Sequence, residues 1–354
     1  EVTRVSEGFE FGKEATWVWD PPDSGVSEYP YFVDYVRKYL IERYGDDAVL
    51  RGGLRVRTTL DPEIQNMARE TVTDSLQRVG AERPLEMAMV SIDPRNGFVR
   101  ALVGGRDFEQ SQVNMALAPN QPGSTMKAFV LAAALQRGAE PDRIVQIPSQ
   151  FCYPEKPDTC LRGGGPQTPR TAIVKSSNAF FGQVTSRLGP NVVAQTAYDM
   201  GVRSLNPEGI DYGTSIGLGG YGASPLDMAS GFATLANHGR YQEATPVSFV
   251  SDEFGNVIED NRVRTGVQVV DESVADHASD MMRGVLISGT AKGTSIGRPA
   301  AGKTGTTNGS SNTWFIGYTP QLATSVWYGW EDRYAPVKGY RFGGDLAPTW
   351  RRFM

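Results

Sequence analysis

The spacing of hydrophobic positions changes several times along the 354-residue chain, and each change marks an element. Between 31 and 44, Phe32, Tyr35, Val36, Leu40 and Ile41 recur at helical spacing and predict a short helix. Leu54-Arg55-Val56-Arg57-Thr58-Thr59 alternates apolar and polar as a strand does. Asp61 followed by Pro62 opens a second helix, with Ile64, Met67, Ala68 and Val72 as its apolar stripe. Residues 87–92 and 98–103 are strand-like and flank Asp93-Pro94-Arg95-Asn96-Gly97, whose Asn-Gly pair marks a hairpin. An unbroken apolar stretch at 128–135 predicts a buried helix that stops at Gly138. Residues 141–170 read as a loop-rich region, and the three consecutive glycines at 163–165 as flexible loop. Ser224-Pro225-Leu226-Asp227 reads as a capping box opening a helix that runs to about Asn237. Residues 272–288 place Val274, Ala278, Met281, Met282, Val285 and Leu286 on one helical side. The chain closes with strand patterns at 301–307, 314–318 and 323–330, an antiparallel meander. Strands at both ends with helices between them predict an α+β fold, a sheet flanked by helices. Residues 1–53, turn-rich at Asp20-Pro21-Pro22-Asp23-Ser24-Gly25, read as a linker region. Residues 54–84 read as its strand-helix pedestal, and 85–354 as the main domain.

Composition narrows the chemistry. With 40% hydrophobic and 21% charged residues the chain is globular, and its length suggests about two domains. A net charge of -5 without a long basic run argues against nucleic acid as a partner. The two histidines, His238 at a predicted helix end and His277 in a predicted amphipathic helix, lie in no carboxylate-rich motif. That argues against a histidine triad or a multi-histidine metal site, and no metal or cofactor is expected. Cys152 and Cys160 flank Tyr153-Pro154-Glu155-Lys156-Pro157-Asp158-Thr159 with no C-x-x-C pattern, so zinc is not expected. Two readings stay open for them: a disulfide, if the compartment is oxidising, or two free thiols. No 18-residue apolar stretch and no signal peptide appear. The polar start at Glu1 is compatible with a fragment excised behind its anchor.

Three short motifs carry candidate chemistry. Ser124-Thr125-Met126-Lys127 is S-x-x-K at the start of the apolar helix. A serine hydroxyl is a poor nucleophile until a base takes its proton, and a lysine one turn on shares its face. Burial that keeps this lysine neutral makes it such a base. Ser176-Ser177-Asn178 is S-x-N, and Lys303-Thr304-Gly305 continues into Thr306-Thr307. Taken singly, Ser176 and Asn178 are equally good helix caps, and 303–305 an ordinary strand edge. In this order the three make a much stronger signal.

The ordered set resembles the penicillin-binding proteins, serine acyltransferases of cell-wall synthesis. Gln121-Pro122-Gly123-Ser124, Gly302-Lys303-Thr304-Gly305-Thr306-Thr307 and Trp314-Phe315-Ile316-Gly317-Tyr318-Thr319-Pro320 are similar to the class A, bifunctional members. So are Ser224-Pro225-Leu226-Asp227-Met228-Ala229 and Thr58-Thr59-Leu60-Asp61-Pro62, and the likeness runs from about residue 28 to the end. The sequence departs at Thr313, where the family often has aspartate, and the 152–160 loop is outside the family pattern. The resemblance implies a penicillin-binding protein/serine β-lactamase-like transpeptidase fold, with a five-stranded antiparallel sheet and a helical subdomain. It implies a DD-transpeptidase acting on D-Ala-D-Ala stem peptides of peptidoglycan and trapped by β-lactams.

Implied roles follow residue by residue. Ser124 is the nucleophile, Lys127 its base beside the ammonium of Lys303, and Ser176 the proton relay. Asn178 holds a substrate amide, and Lys303, Thr304 and Thr306 bind the terminal carboxylate. Gly305 allows close approach of the substrate backbone, and the amides of Ser124 and Thr306 form an oxyanion hole. Residues 1–53 would join this domain to a glycosyltransferase and its membrane anchor. The implied location is the extracytoplasmic face of the bacterial membrane, with other cell-wall synthesis proteins as possible partners. The rivals are a DD-carboxypeptidase or β-lactamase on the same fold, and a β-lactam sensor that acylates once. No glutamate-containing motif for rapid deacylation stands out between Asn178 and Lys303. Gly217-Leu218-Gly219-Gly220-Tyr221-Gly222 fits G-x-G-x-x-G but lacks a βαβ context, so dinucleotide binding is set aside. Asn308-Gly309-Ser310 reads as a turn.

Overall fold

The computed structural model describes residues 27–354 and two short paired strands, Thr3–Arg4 and Trp17–Val18. The turn expected at 20–25 lies outside the described residues. The framework is a five-stranded antiparallel sheet of Leu85–Asp93, Phe98–Val103, Ala301–Thr306, Asn312–Tyr318 and Ala323–Trp330. Numbered β1 to β5 in chain order, the strands lie in the spatial order β3-β4-β5-β1-β2. The strand carrying Lys303 is therefore an edge, with Gly305 opposite Trp314 and Lys303 opposite Ile316.

β1, β4 and β5 are buried on both faces, which is why they are largely apolar. Successive side chains still alternate between two cores. Ala88, Val90, Ile92, Trp314, Ile316 and Trp327 point into a core shared with the buried helix Lys127–Gln136 and the helices Asn178–Leu188, Pro225–Ala236 and Glu272–Ile287. Met87, Met89, Phe315, Val326 and Tyr328 point the other way, onto Val72 and Leu76 of the helix Pro62–Arg78 and onto Leu346 and Trp350. Residues 54–84, expected as a pedestal, thus share a core with 85–354, and the strand Arg55–Thr58 pairs with Val247–Ser251. No helix among the described residues is long and apolar enough to cross a membrane.

Four local expectations need correction. Met67 is 47% exposed, and the stripe of its helix runs instead through Ala68, Val72 and Leu76. Residues 141–170, expected as loop-rich, carry two strand pairs: Val145–Ile147 with Gly165–Gln167, and Gln150–Tyr153 with Lys156–Arg162. That second hairpin is mostly solvated and lacks alternating polarity, so the sequence carried no strand signal. Its cysteines form the disulfide Cys152–Cys160. Ser224 caps its helix by accepting from Asp227 N, but Asp227 turns away to Ser204, so the capping box is half made. The chain closes with a helix, Gly343–Phe353, rather than with β5. Pro348 inside it argues against a helix on propensity. Burial of Leu346, Ala347, Trp350 and Phe353 outweighs that, and Trp350 also donates to Gly317 O at 3.1 Å.

Candidate active site

Ser124 lies on a 3-10 turn, Gly123–Met126, that feeds directly into the helix Lys127–Gln136. The turn is held from two sides. Trp314 Nε1 donates to Gln121 O at 2.8 Å, and Gly123, at φ +55°, lies against the backbone of β3. A Cβ on Gly123 would stand 2.6 Å from Thr306 O, so only glycine lets the two segments meet. This contact places Ser124 beside Thr306.

Lys127, one residue past the turn, is fully buried. Its Nζ donates to Ser176 O at 2.7 Å, to Ser176 Oγ at 3.2 Å and to Asn178 Oδ1 at 2.5 Å. Lys303, equally buried, donates to Ser176 Oγ at 2.9 Å and to Thr304 O at 3.0 Å. Ser176 therefore sits between two lysines. It reaches them because it adopts φ 57°, a left-handed break between the helices Pro169–Lys175 and Asn178–Leu188. A non-glycine residue held there stores local strain, as residues at functional sites often do. Ser177, not Ser176 or Asn178, supplies the cap, accepting from Phe180 N.

Two lysines with no carboxylate among their bonded partners cannot both stay charged in a dry site. Burial pushes the Lys127 ammonium well below its usual range, and the charge of Lys303 pushes it further. Burial lowers Lys303 to about 7. Asn178 Oδ1 is occupied by Lys127, which leaves its amide N–H groups as donors at an exposed position.

A cavity of about 480 Å³ opens at this point, lined by Ser124, Ser176, Thr304 and Thr306 together with Thr290, Lys292 and the 342–345 turn. Of the eight residues singled out from the sequence, Ser124, Ser176, Thr304 and Thr306 line the cavity, Lys127 and Lys303 bond to Ser176, and Asn178 bonds to Lys127. Gly305 is in the strand, but its missing side chain makes room for the chain itself. A Cβ there would stand 2.5 Å from Pro122 O and 2.8 Å from Thr125 Cγ2. Gly305→Ala is expected to push the nucleophile turn off β3. A loss of roughly 1–3 kcal/mol in stability, typical of overpacking, should show in thermal melts, alongside slower acylation.

The sequence did not point to Thr290 or Gly343. Thr290 Oγ1 lies 2.7 Å from Thr304 Oγ1, and Gly343 N donates to Thr306 Oγ1 at 3.0 Å. With a lone pair so occupied, the Thr306 hydroxyl is left to donate into the cavity. Both residues arrive from distant segments with no local motif, so no sequence signal marks them. Thr313, where the family often has aspartate, donates to Tyr340 O at 2.8 Å. The histidines lie elsewhere. His238 pairs with Asp276 at 2.7 Å on an exposed surface that also holds Glu272, and none of them lines the cavity.

A buried serine–lysine network at the edge of such a sheet defines a class, and the comparisons agree with it. The family model for the penicillin binding protein transpeptidase domain matches residues 87–330. The chain belongs to that family. It is 31% identical to penicillin-binding protein 2D of Bacillus subtilis over 92% of its own length and 48% of the relative's. It is 33% identical to penicillin-binding protein 1A of Mycolicibacterium smegmatis over 80% and 38%. The chain therefore spans about half or less of these relatives. The penicillin-binding protein PonA1 of Mycobacterium tuberculosis superposes with a TM-score of 0.79 at 30% identity, covering 92% of this chain and 91% of that one. A second structure of PonA1, in complex with penicillin V, superposes equally well.

Proposed function

We propose that this chain is a peptidoglycan DD-transpeptidase unit working through an acyl-enzyme on Ser124. The observation that carries the reading is the bonded series Asn178–Lys127–Ser176–Lys303 set beside a serine in one cavity. Ser124 Oγ attacks the carbonyl carbon between the last two D-alanines of a stem peptide, and Lys127 takes the hydroxyl proton. The amides of Ser124 and Thr306 receive the developing oxyanion; loss of one such donor typically costs ~100 to 1,000-fold in rate. The C–N bond breaks, and the proton passes through Ser176 to the leaving D-alanine amine. An amine of a neighbouring stem then attacks the ester and regenerates Ser124. Thr304, Thr306 and Lys303 hold the terminal carboxylate, and Asn178 the substrate amide. Asp345, the one carboxylate among the described lining residues, accepts from Phe342 N at 2.9 Å.

On this reading the ligands are stem peptides and β-lactams. The proposed location, the extracytoplasmic face of the bacterial membrane among other cell-wall synthesis proteins, rests on family membership. The test is intact mass after benzylpenicillin, which should rise by one drug, with D-alanine released from a stem-peptide mimic. Steady nitrocefin turnover would favour a hydrolase instead. The pH dependence has a definite sign on each side. Lys127 acts only when neutral, so on the acid side the second-order acylation constant should rise with pH as Lys127 loses its proton, and it should fall again as Lys303, lowered to about 7, loses the charge that holds the carboxylate. Because the Lys127 pKa is depressed, that rise should be complete well below pH 10.5, the ordinary lysine value. A rise delayed to the ordinary lysine range would exclude Lys127 as the base.

A further inference from the structure

Two sequence features have no part in this chemistry: the cysteine-flanked segment and the glycine run at 217–222. The structure joins them. The hairpin closed by Cys152–Cys160 carries Glu155 at its tip. The Glu155 carboxylate accepts from both Thr214 N and Thr214 Oγ1, the latter at 3.1 Å. Thr214 begins the 3-10 turn Thr214–Leu218, which ends at Gly219 in the left-handed region, φ +77°. A Cβ on Gly219 would stand 2.2 Å from Gly123 N, so the turn lies backbone to backbone against the residue before Ser124. Gln121 Nε2 also donates to Gly220 O at 3.1 Å. Both strands of the hairpin also pack on the helix that follows the S-x-N serines. Leu161 and Phe151 pack on Gly182, 2.7 and 3.1 Å from where a Cβ would be, in the helix whose first residue is Asn178.

We propose that Glu155 is a positioning residue for acylation, and that the disulfide hairpin braces the nucleophile turn so that acylation depends on the redox state of Cys152–Cys160. The proposal rests on the Ser124 reading above. Glu155 is exposed, so water competes for its carboxylate. The cross-link limits that competition by keeping the hairpin tip close to Thr214, since closing a short loop removes conformations in which the tip swings away. Two charge-assisted hydrogen bonds then fix the start of the turn whose far end lies on Gly123. A shift of an ångström at a reacting serine is enough to slow attack by up to ~100-fold. Reduction by a dithiol such as dithiothreitol breaks the S–S bond with two electrons and two protons. Two cysteine thiols form, and the reagent closes to its cyclic disulfide.

The experiment measures noncovalent affinity and the acylation step separately, with a fluorescent penicillin, for the oxidised and reduced protein. Glu155→Ala should slow the acylation step about 10-fold with little change in affinity. Glu155→Gln keeps an acceptor for Thr214 and should restore most of the rate. Reduction, or Cys152→Ser with Cys160→Ser, should slow the native sequence similarly but add little to Glu155→Ala, since both act through one contact. If oxidised Glu155→Ala acylates at the native rate, or reduction slows it as much as the native protein, the brace is overturned. If the native protein forms no adduct at all, it is the Ser124 reading that fails.

Discussion

Ser124→Ala should leave the protein at its unmodified mass after benzylpenicillin, where the native chain gains one drug mass. The acyl group is carried as an ester of the serine oxygen, and alanine has no atom to carry it. Removing the nucleophile of a cooperating serine site costs on the order of 10⁶ in rate. The change should not disturb folding. Ser124 is half-buried, and its hydroxyl has no hydrogen-bond partner among the described residues, so no group loses one. Stability should stay within about 0.5 kcal/mol, the range of substitutions that break no special feature. The anion clamp remains in the variant, so noncovalent drug binding should persist while the adduct disappears. Tryptic mapping closes the alternative: an adduct found on Ser176 in the variant would sink the assignment.

Replacing Lys127 should have the second-largest effect, and two substitutions separate its possible roles. Lys127→Met keeps the bulk and the burial but removes the amine. Loss of a general base typically costs ~100 to 10,000-fold, and acylation should fall by that factor. Lys127→Arg keeps a cation that does not deprotonate at any accessible pH. If the site needed only positive charge near Ser124, arginine would serve. If it needs a neutral base, arginine fails as completely as methionine. The depressed proton affinity of Lys127, from burial and from Lys303, favours the second outcome. Arginine should also be costly to fold, since a permanent charge would be buried beside Lys303 with no carboxylate among the bonded partners. Near-native acylation by Lys127→Arg would refute the base assignment.

Much of this molecule is legible because its elements announce themselves locally. The β1–β2 hairpin follows from Asn96-Gly97, and the 272–287 helix from a clean apolar side. The cap at Asp61, which accepts from Glu63 N and Ile64 N, stands at the predicted position. The 150–162 hairpin and the closing helix were not legible. The first is a solvated ribbon without alternation, and the second carries Pro348 against its propensity and is held by Trp350 packing on β4. The packing of Gly305 was not legible for a related reason: which neighbour fills the space beside a glycine depends on the partner segment, here the turn at Pro122.

The sequence by itself determined the chemical vocabulary: a serine and a lysine one turn apart, S-x-N and K-T-G in order, and two histidines in no catalytic motif. Only the tertiary structure decided which groups meet. It brought Ser176 between Lys127 and Lys303, 49 and 127 positions apart along the chain, and set Thr290 and Gly343 on the two clamp hydroxyls. The reason is physical. Spacing along a helix or strand fixes which side a residue takes, but hydrogen-bond partners and burial come from segments packed across a core, and those set the proton affinities of both lysines.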